Sequence, residues 1–551
     1  MRLSFLSLTL TLVVIFTSAD KLVDECTPRQ VHISYGKLTT EFVIVWSTVG
    51  QCTAVVHYGT GPWSLNQQET GKSVQFNENI SGLKWLHRVL LQQLEFGTTY
   101  FYSPNSDRSS AASRFFFKTS PSNSSLPVEL LVVSELNSSS SARTFMIDEA
   151  QKGKLSAILH TGNIALNLSS ENGTVGDEYL KRIEPAVAVV PYLVSPGPNE
   201  VEEETFTHYL HRFSMPDTEW PMSIDKMWYS LDLGPVHLIS FSSEVFYLKD
   251  NKYATAQHNW LIKDLEAAGK NRQNVPWLIA FGNRPFYCTY ENPRLDCNQK
   301  KSNIKTGLED IFFHYGVDLV IQSYGGAYER TYPMLKNVAT ATNYSNPNGP
   351  VYIISGSANH YDLEYNFTDP APNWSAFRFV NESVLTVGRL RVVNASVLEY
   401  EQVNVQDSSV IDTFVIQQEH HGQFSMQDLS SNIVAEVDKN IVDAGGKPGH
   451  LNIDELKAPK SPVEALLEGD TKLRIIIGGS CAGVAVILVS MFIFAKKCKR
   501  KSKSTRRWEQ MDINYGKKFY TKAPEKDEDN DFEIDMSEGT EPTRKLLNAD
   551  N

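Results

Sequence analysis

The chain has 551 residues, 41% of them hydrophobic and 21% charged, with a formal net charge of -12. That apolar content, with few low-complexity runs, excludes a wholly disordered protein and suffices for two or three domains. The acidic balance excludes a surface built to bind nucleic acid.

Arg2, the apolar run Leu6 to Phe16 and the small residues Thr17-Ser18-Ala19 have the order of a secretory signal peptide, so residues 1–19 are set apart from the fold. From 26 to 120 the sequence runs QVHISY, EFVIVWST, TAVVHYG, HRVLLQQL, TTYFYS and RFFFKTS, short alternating stretches parted by turn residues. That spacing predicts a β-sandwich, and Leu94 to Tyr100 resembles the tyrosine corner of fibronectin III-like modules, in which the phenol bonds back to the backbone. Cys26 and Cys52 are expected to pair within it.

From 127 to 419 apolar strands (VELLVVSEL, SAILHTGN, VPYLVSPG, VHLISFSS, PWLIAFGN, VDLVIQSY, VYIISGSA) alternate with helix-like stretches such as AQHNWLIKDLEAAGK and GLEDIFFHYG. The alternation predicts a layered α/β domain whose polar and glycine-rich loops gather on one rim. Cys288 and Cys297 bracket a short polar loop and are expected as a disulfide.

Hydrophobic density falls from 420 to 474, which reads as a stalk, with His420 and His421 solvated in it. Ile475 to Ala495 is an apolar run of 21 residues, at ~1.5 Å per residue long enough to cross a bilayer. The basic block Lys496 to Arg507 that follows puts residues 496–551 in the cytoplasm as a tail. The expected topology is a single-pass type I membrane protein with an extracellular or lumenal ectodomain, at the cell surface or in the endolysosomal system. The GxxxG pattern Gly479 to Gly483 admits a homodimer. Ten N-x-[ST] sequons, at Asn79, Asn123, Asn137, Asn167, Asn172, Asn343, Asn366, Asn373, Asn381 and Asn394, all precede the span and suit a secreted glycoprotein.

Gln30 to Gly36, Gly176 to Glu200, His211 to Pro216, Met227 to Val245, Ala327 to Pro333 and Gly349 to Ala358 resemble the purple acid phosphatases, in particular the animal iron/zinc type, over Thr27 to Ile416. The resemblance implies an N-terminal fibronectin III-like domain, a calcineurin-like metallophosphoesterase domain, and a dinuclear centre of iron with zinc, iron or manganese that activates water and clamps a phosphate ester. The frames persist while the ligands differ. GDxG is Ser134-Glu135-Leu136-Asn137, leaving Glu135 as the retained acidic donor. GDxxY is Gly162-Asn163-Ile164-Ala165-Leu166, with Asn163 and Leu166 at the carboxylate and phenolate positions. GNHE is Gly197-Pro198-Asn199-Glu200, in which Pro198 and Asn199 replace a metal ligand and the histidine that would protonate the leaving group. GHRP is Gly282-Asn283-Arg284-Pro285, and GHxHAYER is Ser323 to Arg330 with Tyr324 and Gly326 where imidazoles belong.

One carboxylate and a few amide oxygens cannot replace the hydration of two multivalent ions, so the expectation is that no cofactor is held. The resulting reading is a pseudoenzyme, a pseudophosphatase whose ectodomain binds an extracellular protein or glycan. The alternative is an active metal-dependent acid phosphatase hydrolysing phosphate monoesters through a rebuilt site, with Glu135, Glu200, His360 and Asp362 as the nearest donors. The bland readings are a structural His160, a polar loop at His360 and Asp362, and a solvated Glu135.

Overall fold

The computed structural model describes residues 25–451 apart from 77–83, 106–112, 122–126, 291–294, 300–301, 360–366, 382, 448 and 450. The expected signal peptide, membrane span and cytoplasmic tail, the end of the stalk, the sequons Asn79, Asn123 and Asn366, and both His360 and Asp362 lie outside the described residues. Among the described residues no helix is long and apolar enough to cross a membrane.

The N-terminal strands form two four-stranded antiparallel sheets. Arg29–Tyr35, Phe42–Thr48, Lys84–Leu91 and Lys72–Phe76 make one, and Gln67–Thr70, Val55–Gly59, Thr99–Asn105 and Phe115–Lys118 make the other. Their inward side chains fill the space between them, with Phe42 stacked on Phe117 at 4.0 Å between ring centres and Trp46, Val31 and Ile33 buried. The tyrosine corner is present: the Glu95 N–H donates to the Tyr100 hydroxyl at 3.1 Å. The Cys26–Cys52 disulfide closes the sandwich's edge, and Cys288–Cys297 forms in the second domain.

The second domain stacks a six-stranded and a seven-stranded sheet. In the first, Val128–Val133, Ala157–His160 and Tyr192–Val194 run parallel, and the antiparallel strands Thr386–Asn394, Val397–Asn404 and Val410–Gln417 continue it beyond Val128–Val133. The second has Val236–Ser240, Trp277–Phe281, Leu319–Gln322 and Val351–Ser355 parallel at its centre, with Tyr229–Leu233 at one edge and Ser375–Phe379 at the other. The central parallel strands are buried along their whole length, as their unbroken apolar runs require. The helix AQHNWLIKDLEAAGK begins four residues earlier than its apolar pattern, at Lys252, and runs to Lys270. GLEDIFFHYG opens as a π-helical turn over Lys305–Glu309 before its short helix Asp310–His314.

Sandwich and α/β domain are joined by polar contacts as well as packing. Glu184 accepts the Val31 N–H at 2.8 Å, the Tyr102 hydroxyl donates to the Ala188 carbonyl at 2.7 Å, and Asp177 receives both Arg212 and Lys84. The first part of the segment read as a stalk lies against the domain. Its helix Ser431–Asp443 buries Val437 and Ile441 beside Phe313, Leu335 and Phe424. His421 is not solvated as expected: its ring packs edge-on against Trp277 at 4.6 Å and bonds the Ala395 carbonyl, because the chain turns back over the sheet end there.

Candidate active site

Every altered frame sits at the C-terminal end of a parallel strand, and the loops of the two sheets meet there. Ser134–Leu136, Thr161–Leu166 and Ser195–Glu200 come from the six-stranded sheet; Gly282–Pro285, Ser323–Gly326 and Gly356–Ala358 come from the seven-stranded one. Direct bonds tie them together. Ser323 Oγ donates to the Thr161 carbonyl at 2.8 Å, and Ser134 Oγ to the Gly356 carbonyl at 2.6 Å.

The backbone that shapes this rim is left-handed at many non-glycine positions: φ is 55° at Glu135, 55° at Asn163, 58° at Ala165, 63° at Leu166 and 116° at Tyr324. Such conformations cost of order 1–3 kcal/mol each and collect where structure serves chemistry. Glycine is required at two close approaches. A Cβ on Gly162 (φ 88°) would lie 2.7 Å from Asn283 Nδ2 and 2.8 Å from the Gly197 nitrogen, and one on Gly197 would lie 2.8 Å from Asn163 Oδ1.

Glu135 is buried, not the solvated loop carboxylate expected. Its left-handed turn drives the side chain inward, where Oε1 accepts the Gly325 N–H at 3.0 Å and Asn163 Nδ2 at 3.2 Å. Asn163 in turn accepts the Asn199 N–H through Oδ1 at 3.2 Å. Asn283 Nδ2 donates to the Thr161 carbonyl at 2.6 Å and to Ser323 Oγ at 3.1 Å. The amides at the two frames thus bond to the rim itself. Leu166, Pro198, Asn199 and Gly326 are half-buried beside them, with Pro198 opening a 3-10 turn to Glu200. Tyr324 is buried against Tyr290 and the Cys288–Cys297 loop, and its carbonyl accepts the Tyr290 hydroxyl at 2.7 Å.

Glu200 is fully buried and accepts three backbone N–H groups, from Gly197 at 2.7 Å and from Asn163 and Ile164 at 2.8 Å. Burial pushes its carboxyl up to about 8, against the pull of those three donors. It is a loop brace that ties Gly197 to Asn163 and Ile164. His160 is structural as read: burial pushes it down to about 3, and it meets the Tyr192 hydroxyl inside the sheet. Two residues went unread in the sequence. Glu244 holds Arg284 through both oxygens, at 2.9 and 3.0 Å to Nε, and Tyr247 stacks 4.2 Å beneath the guanidinium, with the Tyr324 ring 5.7 Å away. The signal was a lone acid in the apolar stretch SFSSEVF.

Among the described residues the donor set does not fit a metal pair. Among the described residues no three His, Cys, Asp or Glu side chains gather as a metal-binding group. Two buried rim atoms, Asn283 Oδ1 and Ser195 Oγ, have no hydrogen-bond partner among the described residues, but both belong to neutral side chains.

Comparison with known proteins places the chain. Residues 28–119 match the model of the purple acid phosphatase N-terminal domain, and residues 349–413 that of the iron/zinc purple acid phosphatase-like protein C. Acid phosphatase type 7 of Mus musculus is 34% identical over 370 residues, 64% of this chain and 82% of the relative; the Homo sapiens protein is 35% identical with the same coverage. The chain belongs to the purple acid phosphatase family. A solved purple acid phosphatase, PPD1 from yellow lupin (Lupinus luteus) seeds, shares the fold with a TM-score of 0.61 at 20% identity, covering 72% of this chain and 76% of that one.

Membership in the family corrects one expectation. The matched C-terminal model is described as iron/zinc, and a relative in Arabidopsis thaliana, 28% identical over 64% of this chain and 76% of its own length, is named Fe(3+)-Zn(2+) purple acid phosphatase 12. The family carries iron with zinc, so the flat expectation of no cofactor does not stand. It rested on ligand counting alone.

Proposed function

We propose that this purple acid phosphatase-like protein has lost the family's hydrolytic chemistry and serves as a membrane-anchored ectodomain that binds an extracellular protein or glycan. The observation that carries the proposal is the bonding of the rim. Asn163 and Asn283 stand where the resemblance implies an anionic ligand and an imidazole, and their amides are tied to Glu135, Thr161, Ser323 and the Asn199 N–H. No imidazole takes the place of the histidine that the resemblance implies at Asn199, and Glu200, whose raised carboxyl holds a proton, is fully buried on the backbone N–H groups of Gly197, Asn163 and Ile164. Phosphate binding is disfavoured too: the guanidinium of Arg284 is already held by Glu244, and Glu135 stands in the same rim.

The secretory, type I reading rests on the sequence outside the described residues and draws support from the surface. Asn172, Asn343, Asn373, Asn381 and Asn394 are all exposed, and the two disulfides suit an oxidising compartment. Asn137 and Asn167 are half-buried at the rim itself, so glycans there would crowd it.

The test is hydrolysis of p-nitrophenyl phosphate by the full chain from a glycosylating host, from acid to neutral pH, with iron, zinc and manganese measured on the same sample. The expected result is no hydrolysis above the background of a sample heated to unfold it. Turnover that rises in proportion to bound metal would overturn the proposal and establish the rebuilt-site phosphatase instead.

A further inference from the structure

The seven-stranded sheet ends in two unlike edges. At one, Tyr229–Leu233 carries the charged Asp232, paired with His237 at 2.6 Å, on its central stretch. A charge on an edge strand is a standard guard against pairing with another chain. At the other edge lies Ser375–Phe379, which among the described residues pairs with Tyr328–Thr331 on one side only. Its sequence, Trp374-Ser375-Ala376-Phe377-Arg378-Phe379-Val380, is aromatic and β-prone. All five strand residues are half-buried, and its one charge is turned aside, with Arg378 Nη1 donating to the Thr368 carbonyl at 2.8 Å. A bulge at Ala376, between the pairs Thr331–Ser375 and Arg330–Phe377, disturbs only the strand's first half.

The two ends of this strand are where sequons fall. Asn373-Trp374-Ser375 precedes it and Asn381-Glu382-Ser383 follows it, and both asparagines are exposed. We propose that Asn373 and Asn381 carry N-glycans that flank the open edge and keep it from pairing with a strand of a second copy of this chain. The inference rests on the secretory reading above. In the modification, Nδ2 of each asparagine bonds to the anomeric carbon of an oligosaccharide, the sugar–phosphate bond of a lipid-linked pyrophosphate donor breaks, the amide gives up one proton, and the lipid pyrophosphate leaves. The bulk and hydration of the attached chains then stand at the strand's two ends.

The test uses the full chain made in glycosylating cells and held in mild detergent, as Asn373→Gln, Asn381→Gln, the double variant, and Asn172→Gln as a control sequon in the loop before a helix. Peptide mass spectrometry reads occupancy and light scattering reads association. The expected result is occupancy at both asparagines, with the double variant shifting by at least one doubling of mass relative to wild type and to Asn172→Gln. Adding Ala376→Lys to the double variant should restore the starting mass, which separates edge pairing from a general loss of solubility. No occupancy at any sequon would sink the secretory reading. Occupancy at Asn172 with either edge asparagine unmodified, or a double variant no more associated than the control, would overturn this inference alone, as would a failure of Ala376→Lys to reverse the association.

Discussion

Ser323 to Arg330 divides into two halves with opposite histories. In the first, Tyr324, Gly325 and Gly326 take φ values of 116°, 92° and 85°, and Tyr324 and Gly326 stand where the family's frame has imidazoles. In the second, Tyr328, Glu329 and Arg330 match the frame and are buried in a strand. The Tyr328 hydroxyl and Arg330 Nε both bond Asp412 Oδ2 at 2.7 Å, and Arg330 Nη2 reaches Oδ1 at 2.9 Å. Because Asp412 belongs to the six-stranded sheet and Arg330 to the seven-stranded one, this contact clamps the two layers together. Glu329 accepts the Thr289 N–H at 2.8 Å and Ser375 Oγ at 2.7 Å, which joins the disulfide-loop segment to the edge strand. Residues that hold the layers together match the frame the resemblance supplies, and those at the positions where it implies cation ligands differ from it. Fold and chemistry are separable even within eight consecutive positions.

The comparison breaks if the clamp proves dispensable. Asp412→Ala leaves the Arg330 guanidinium buried without its carboxylate, and loss of one partner of a buried pair costs about 3–5 kcal/mol. Thermal unfolding of the variant should fall by several degrees, and replacing Arg330 with methionine in the same background should recover part of that loss. A variant that melts with wild type would remove the clamp from the argument.

Two titrating groups, one beside the sheet edge and one in the rim, make pH the next probe. His237, at the sheet edge, lies between Asp232 and Asp264, whose carboxylates outweigh burial and raise it from 6.5 to about 9. Its contribution is whole below 6.5 and is lost as pH rises through 9. Glu200, in the rim, is raised from 4.5 to about 8, so the folded state binds the extra proton and loses stability as pH rises between those values. Both act in one direction, and the melting temperature should fall between about pH 6.5, above which the buried His32, His87, His160 and His208 no longer oppose them, and about pH 8, where the lowered Lys84 and Lys305 begin to. His237→Gln and Glu200→Gln should each flatten part of that fall. A melting curve that rises over the range would contradict both assignments.

Much of this was legible because patterning obeys simple periods. Unbroken apolar runs gave the buried parallel strands, alternation gave the sandwich, and the strand ends gave the rim. The antiparallel strands Thr386–Asn394, Val397–Asn404 and Val410–Gln417 went unread although they alternate: Arg389, Glu399 and Glu401 are the outward members between the buried Leu390, Leu398 and Tyr400. The burial of Glu135 was hidden for a different reason. A left-handed turn reverses the direction in which a side chain points, and nothing in Ser-Glu-Leu-Asn announces one. Tertiary pairs such as Arg284 with Glu244, forty positions apart, carry no local signal at all.

Within the rim, the closeness of the loops predicts a smaller loss. Gly162→Ala would place a Cβ 2.7 Å from Asn283 Nδ2 and 2.8 Å from the Gly197 backbone at a φ of 88°, so the cost combines left-handed strain with a displaced loop, about 2–3 kcal/mol in all. Chemical denaturation with an unchanged slope would show the loss as stability alone.

The smallest effect should come from Leu166, where the resemblance puts a phenolate ligand. Its backbone is left-handed at φ 63° and its side chain is half-buried, so Leu166→Gly relieves ~1–2 kcal/mol of strain while giving up some apolar contact and gaining chain entropy in the unfolded state. These terms oppose one another, and the net change should lie within about 1 kcal/mol of zero. That near-neutrality is what distinguishes a position released from its chemistry from one still holding the layers, such as Asp412. A Leu166→Gly variant destabilised as much as Asp412→Ala would mean that the rim, too, is held in place by the residues now occupying it, and the contrast between the two halves would reduce to a difference of degree.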